Sequence, residues 1–203
     1  MRWSQFAARA RVLAAVAHDQ LISPGVVLAG TTRRDGSARI SGVEPLILEG
    51  ELWLSMMPAS AKARDLHRDP RILVHSIITS PSAQAEIMMR GTVRAEAAAD
   101  VQRRYAAAVV AHLGWRPVPG EFALFAVDIT DVTYIGHDPG SNAQHVARWP
   151  AGEEYLRPSL TPTTLGPPQP VRRLLAQPPE NPGGRRVSHT LRRHGSGGSG
   201  RRP

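Results

Sequence analysis

Between Gly25 and Met57 the chain sets three β-rich segments around two tight turns, and this run constrains the fold more than any other feature. "GVVLAGTTR" (25–33) leads into Asp35-Gly36, "ARISGVEPLIL" (38–48) leads into Glu49-Gly50, and "ELWLSMM" (51–57) follows. The favoured tight hairpin turns need φ > 0, which glycine adopts without a steric penalty. Strands this close together pair antiparallel, because a parallel pair needs a crossover of about a dozen residues or more.

The same alternation continues. Ser60 is placed to cap a short helix, "AKARDLHRD", which the Asp69-Pro70 step closes. "RILVHSIIT" (71–79) and "AEIMMRGTVRAEA" (85–97) read as strands joined by "SPSAQ". Residues 98–113 read as an amphipathic helix, 120–136 as a long strand and 143–149 as a last short one. Upstream, Trp3, Phe6, Ala10, Leu13, Ala14 and Ala17 recur at helical spacing, which predicts one helix over 3–19. No βαβ repeat emerges. The expected fold is mainly β, an antiparallel barrel with peripheral helices.

Net charge is +8, which invites a nucleic-acid reading until the charge is located. Residues 158–203 hold eight arginines and one glutamate, whereas residues 1–157 hold 17 basic and 16 acidic side chains. The downstream stretch is rich in Pro and Gly and poor in large apolar residues, so it is expected to form a disordered tail. Its Arg-Arg pairs carry no interleaved aromatic residue, and nucleic-acid binding is not expected. The domain division is therefore 1–157 for the folded unit and 158–203 for the tail. The chain has no cysteine, no apolar run near the ~20 residues a membrane helix needs, and no secretory pattern in "MRWSQFAARARVLAAVAHDQ", so it is expected to be cytoplasmic.

No Gly-rich phosphate loop, nucleophile elbow or HExxH zinc motif is present. His137, Asp138 and His145 read as a polar loop, with a metal site as the sharper alternative. His75 reads as a hydrogen-bonded core or interface histidine, with a haem ligand as the alternative. Met88 and Met89 read as barrel core or dimer contacts.

What stands out is "PASAKARDL", because Lys62 is the only lysine among 25 basic residues. With Ser60 as cap, Lys62 falls in the first helical turn, where unpaired N–H groups and the helix dipole favour anions. An ammonium there is locally unfavourable unless a phosphate joins it, accepting bonds from N–H groups, hydroxyl and ammonium together. Local physics leaves both readings open, a phosphate site and a solvated lysine that tolerates the position.

The ordered set "LAGTTRRDGSARISGVEPLIL", "GELWLSMMPASAKARDLHRDPRILVHS", "AEIMMRGTVRAE" and "LFAVDITDVTYI" resembles the pyridoxamine 5'-phosphate oxidase-like, FMN-binding split-barrel family, in its actinobacterial-type members. The resemblance runs from about Gly25 to Trp149. It implies a six-stranded antiparallel Greek-key split β-barrel, a homodimer with FMN at the subunit interface, and two-electron chemistry on a small-molecule substrate. It further implies that Arg39, Ile40, Ser41, Gly42, Val43 and Glu44 line the isoalloxazine. Ser55 and Met56 contact the ring or ribityl chain, and Ser60 and Lys62 hold the phosphate with Arg39 as a second cation. Ala61 stands where the oxidases carry a basic residue, and Arg64 is placed to assist. No acid or base is assigned, since the flavin carries the hydride. The Arg-Leu-x-Pro substrate motif of the oxidases is absent from "HVARWPAGEEYLRP", so vitamin B6 phosphate is not the expected substrate. Within the same fold the alternatives are a deazaflavin-dependent reductase and a flavin- or haem-binding module without turnover.

Overall fold

The computed structural model describes residues 1–78, 85–138 and 140–175. The first helix expected from the sequence is two helices, α1 (Trp3–Arg9) and α2 (Arg11–Leu21), because Ala10 leaves helical geometry at φ −139°, ψ 59°. The break lets Trp3 and Phe6 on one segment and Leu13, Ala14, Ala17 and Leu21 on the other reach the same core.

Strands β1 (Val27–Thr32) and β2 (Ala38–Val43) pair antiparallel around the Gly36 turn, from Val27 opposite Val43 to Thr32 opposite Ala38. β3 (Pro45–Leu48) continues from β2 after a single residue, Glu44, and pairs with β4 (Glu51–Met56) around Glu49-Gly50. Gly50 has φ 78°, and a Cβ there would sit 2.8 Å from the Ser4 hydroxyl, so this turn is held to glycine twice over.

Helix α3 (Ala61–Arg68) and β5 (Arg71–His75) follow, then β6 (Ala85–Glu96), α4 (Ala99–Leu113) and β7 (Ala123–His137). β8 (Gln144–Trp149) matches its expected position. Beyond it lie β9 (Glu153–Arg157), β10 (Ser159–Thr161), β11 (Thr164–Leu165) and β12 (Gln169–Pro170).

Ten strands form one antiparallel sheet in the order β12-β9-β8-β7-β6-β5-β1-β2, with β4 on β7 and β3 on β4. β10 and β11 pair separately. The sheet is not closed by one unbroken ladder. The strand 38–48 bends at Glu44, pairing with β1 before the bend and with β4 after it. Six strands (β1, the bent 38–48, β4, β7, β6 and β5) thus complete the split barrel. β7 is shared along its length: its start pairs with β4, its end with β8, and its other edge with β6 throughout.

Both faces of β4 are buried, which is why "ELWLSM" lacks polar alternation. Leu52, Leu54 and Met56 enter the barrel core with Val27, Ile87, Met89, Phe125 and Val127. Trp53 enters a second cluster under α4 with Leu46, Tyr105, Val109 and Phe122. At Arg90-Gly91 the β6–β7 register shifts; a Cβ on Gly91 would lie 2.1 Å from the Asp128 carbonyl oxygen.

The chain expected to be a tail beyond Arg157 is therefore partly described structure. Glu154, buried on β9, accepts hydrogen bonds from the N–H groups of Arg173 (2.9 Å), Leu174 (2.8 Å) and Leu175 (3.0 Å), and pairs with His145 at 2.8 Å. Burial opposes ionisation of Glu154, but these bonds outweigh it and hold its pKa below the ordinary glutamate value. Leu174 and Leu175 pack against the main core. The rest of the expected tail, 176–203, lies outside the described residues. No helix among the described residues is long and apolar enough to cross a membrane.

Candidate functional site

The site is built around the first turn of α3. Ser60 is its N-cap, extended at φ −68°, ψ 151°, and its hydroxyl accepts from the Ala63 N–H at 3.2 Å. The N–H groups of Ala61 and Lys62 precede the first intrahelical bond and have no acceptor within the helix. Lys62 reaches across to β2, where its Nζ donates to the Gly42 carbonyl at 2.8 Å. Partial burial lowers its pKa. Among the described residues no carboxylate is in ion-pair contact with it, although Glu44 and Glu121 line the same cleft.

Lys62 lines a cleft of about 420 Å³ with Glu44, Ser55, Met56, Met57 and the segment Trp115–Val118, closed by Glu121 and Phe122. The thioether and aromatic walls of Met56, Met57, Trp115 and Phe122 are interspersed with the polar side chains of Glu44, Ser55, Lys62, Arg116 and Glu121. Tyr105, buried under α4, donates to the Ser55 hydroxyl at 2.9 Å, which leaves the Ser55 proton free to point elsewhere. Burial raises the Tyr105 pKa and keeps it a donor. The Trp115 indole N–H donates to Glu44 Oε2 at 2.9 Å, joining the α4–β7 connection to the bend between β2 and β3.

Arg39 lies on the other flank of α3. Its Nε donates to Asp65 Oδ2 at 2.7 Å; Thr31 donates to the same oxygen at 3.1 Å, and Arg68 reaches Oδ1 at 3.2 Å. Asp65 is only 4% exposed. Burial would raise its pKa, yet the hydrogen bonds from Arg39, Thr31 and Arg68 and the Arg39 charge bring it below the ordinary aspartate value. Around this anchor opens a second cleft, about 830 Å³, lined by Arg33, Arg34, Asp35, Arg39, Ala61, Arg64, Asp65 and Arg68. Ala61 faces one cleft and Lys62 the other, so the start of α3 is the ridge between them.

The ten residues singled out from the sequence are thus distributed. Glu44, Ser55, Met56 and Lys62 share the smaller cleft, Ser60 caps the ridge, and Arg39 stands in the arginine cleft. Gly42 meets Lys62 through its carbonyl, and Ser41, next to it on β2, is half-buried and lines neither cleft. Val43 belongs to the core, while Ile40 projects outward, 70% exposed. Tyr105, Trp115, Phe122 and the arginines other than Arg39 and Arg64 were not singled out. The Gly114-Trp115 step after an amphipathic helix was their one local signal.

Elsewhere, Met89 is core, and His75 Nδ1 lies 2.6 Å from the Ser76 carbonyl oxygen with Nε2 3.5 Å from Glu86. Asp138 accepts from the N–H groups of Gly140 and Ser141, and His145 pairs with Glu154. Among the described residues no group of three or more His, Cys, Asp or Glu is placed to hold a metal ion.

No protein-family model and no curated protein matches the chain. Solved structures do. A NimC/NimA family protein from Clostridium acetobutylicum aligns with a TM-score of 0.52 at 15% identity, over 66% of this chain and 91% of that one. A protein related to general stress protein 26, of the pyridoxinephosphate oxidase family and from the same organism, aligns at 0.53 and 14% identity, over 68% and 95%. A conserved hypothetical protein from Mycobacterium tuberculosis aligns at 0.50 and 16%, over 58% and 81%. The fold is that of the pyridoxamine 5'-phosphate oxidase-like split barrels.

Proposed function

We propose that this split-barrel chain binds FMN and works as a cytoplasmic, homodimeric flavin-dependent oxidoreductase on a small molecule. One observation carries the reading: a capped helix start with a lone ammonium, Ser60 and Lys62, borders a cleft that has Met56, Trp115 and Phe122 among its walls. The donor set fits a phosphate monoester: two free N–H groups, the Ser60 hydroxyl proton and Lys62, which has no carboxylate in ion-pair contact. The Met and aromatic walls fit a flat ring. A flavin, when bound, supplies two-electron hydride chemistry.

The chain's own part is binding and orientation. Tyr105 fixes the Ser55 hydroxyl as a donor toward the cleft, and the Trp115–Glu44 bond holds the segment that walls it from water. Exposed apolar side chains at the cleft support a second copy covering it; Met57 is 75% exposed, and Val118 and Trp115 line the same cleft.

Equilibrium titration with FMN, followed by flavin fluorescence, tests the assignment. Lys62→Ala is expected to weaken binding by about 1–3 kcal/mol, the scale of a charge-assisted hydrogen bond. An unchanged dissociation constant would remove Lys62 from the site.

A further inference from the structure

A further groove runs along α4. One wall is a stripe of the helix, Arg103, Ala106, Ala107 and Val110; the other is the connection Arg116–Pro119. They enclose about 480 Å³. Arg116, Pro117 and Val118 also line the cleft around Lys62, so the connection is a partition between the two. The core takes only part of the circumference of α4: Tyr105 and Val109 are fully buried in it, with Val101 and Ala108 packed beside them. At about 100° per residue, Ala106, Val110, Arg103 and Ala107 form the next arc round the helix. The arc is apolar apart from Arg103. Ala106 and Pro117 are buried, while Ala107, Val110 and Val118 remain exposed. An apolar arc wider than the core requires marks a contact surface.

The charge of the groove is one-sided. Its lining holds two arginines and no carboxylate. Arg104, on the neighbouring face, reaches Asp100 at 2.7 Å and Glu49 at 3.0 Å. Arg103 and Arg116 make no hydrogen bond or ion pair among the described residues. Covering the groove would take both guanidiniums out of water, which is costly unless each meets an anion. An occupant must therefore bring more than one carboxylate, together with apolar groups for the alanine and valine surface. A peptide carries both on one backbone, and the small alanines let a helix lie close. The chain's own downstream stretch, 176–203, has six arginines and one glutamate, the wrong charge for this surface.

We propose that the α4 groove docks an acidic amphipathic segment of another protein. Its carboxylates pair with Arg103 and Arg116, and its apolar side chains cover Ala107, Val110 and Val118. The proposal does not depend on the flavin reading.

Fluorescence anisotropy with the full chain, at about 150 mM salt where long-range attraction is screened, tests this. The probe is a labelled peptide of glutamate, leucine and alanine in an amphipathic helical pattern; its control has glutamine for every glutamate. The glutamate peptide should bind saturably and at least tenfold tighter than the control. Arg103→Gln should weaken the glutamate peptide severalfold and leave the control unchanged, which isolates the ion pair. Ala107→Glu sets a carboxylate in the groove and should weaken the glutamate peptide tenfold or more. Both positions are exposed, and circular dichroism checks the fold; should one variant fail to fold, the other decides. No saturable binding, equal binding of the two peptides, or an affinity that the variants leave unchanged overturns the proposal. Binding to phosphatidylcholine–phosphatidylglycerol vesicles in place of the peptide overturns it in favour of a membrane surface. Self-association that Ala107→Glu abolishes, without peptide binding, overturns it in favour of a second copy.

Discussion

Replacing Asp65 by Asn probes the join between the fold and the candidate site. The side chain keeps its size but loses its charge at a position 4% exposed, where four hydrogen bonds converge from Thr31, Arg39 and Arg68. Charge-assisted bonds contribute about 1.5–3 kcal/mol and neutral ones about 0.5–1.5, so two arginine contacts lose roughly 1 kcal/mol each. The new amide NH₂ meets guanidiniums that offer it no acceptor, at a further cost of about 1 kcal/mol. The loss stops short of the upper end of the ~3–5 kcal/mol range for a broken buried pair because Arg39 and Arg68 stay partly hydrated, with side chains 23% and 38% exposed. The expected total is about 3 kcal/mol, or roughly 6–12 °C in Tm for a chain of this size. Urea unfolding of both proteins across pH measures it. Because the folded-state pKa of Asp65 is depressed, its contribution is fully present above the ordinary aspartate value and is lost as pH falls through the folded one. The gap between wild type and variant should therefore be full at pH 7 and shrink on acidification below the ordinary aspartate range. A gap under about 0.5 kcal/mol at pH 7, or one that stays constant into acid, would refute the role of Asp65 as the anchor of Arg39 and Arg68.

Further perturbations address other links. Gly91→Ala is expected to cost on the order of 3 kcal/mol, since the new Cβ meets the Asp128 backbone oxygen and not a movable side chain; chemical denaturation measures it, and a neutral result would show that the bulge opens freely. Glu154 has a depressed folded pKa, so its hold on residues 173–175 is present above the ordinary glutamate value and lost as pH falls through the folded one. Hydrogen exchange at those three amides, corrected for intrinsic rates, should accelerate in acid, and Glu154→Gln should lower their protection at pH 7 by about tenfold. Tyr105→Phe is expected to cost about 1 kcal/mol in stability and to weaken FMN binding through Ser55, read by the same titration as Lys62→Ala; unchanged binding would make Tyr105 purely a packing residue.

The sequence made the β-rich core of the fold legible because its signals are local. Asp35-Gly36 and Glu49-Gly50 mark turns, Ser60 and Asp69-Pro70 bound α3, and β-branched runs mark the strands. The break at Ala10 was not legible, because alanine favours helix and only the packing of both halves on one core bends it. The strap beyond Arg157 was hidden for a different reason. Its composition resembles disorder, and what fixes it is one distant carboxylate, Glu154, with three backbone N–H groups. At the site, Ser60 and Lys62 were visible as a cap and a misplaced cation. The arginine cleft was not, since residues 1–157 are almost neutral in sum, and averaging erases a cluster assembled from a turn, a strand and a helix.

The most direct measurement is the identity of the small molecule released from the natively purified chain, by mass spectrometry with an absorption spectrum of the intact protein. The account predicts a flavin, either co-purifying or taken up at one per chain on incubation, with FMN the minimal form. A deazaflavin would keep the site and change the chemistry. A chain that neither carries nor takes up any flavin would contradict the assignment of Lys62 and the Ser55–Met56 cleft.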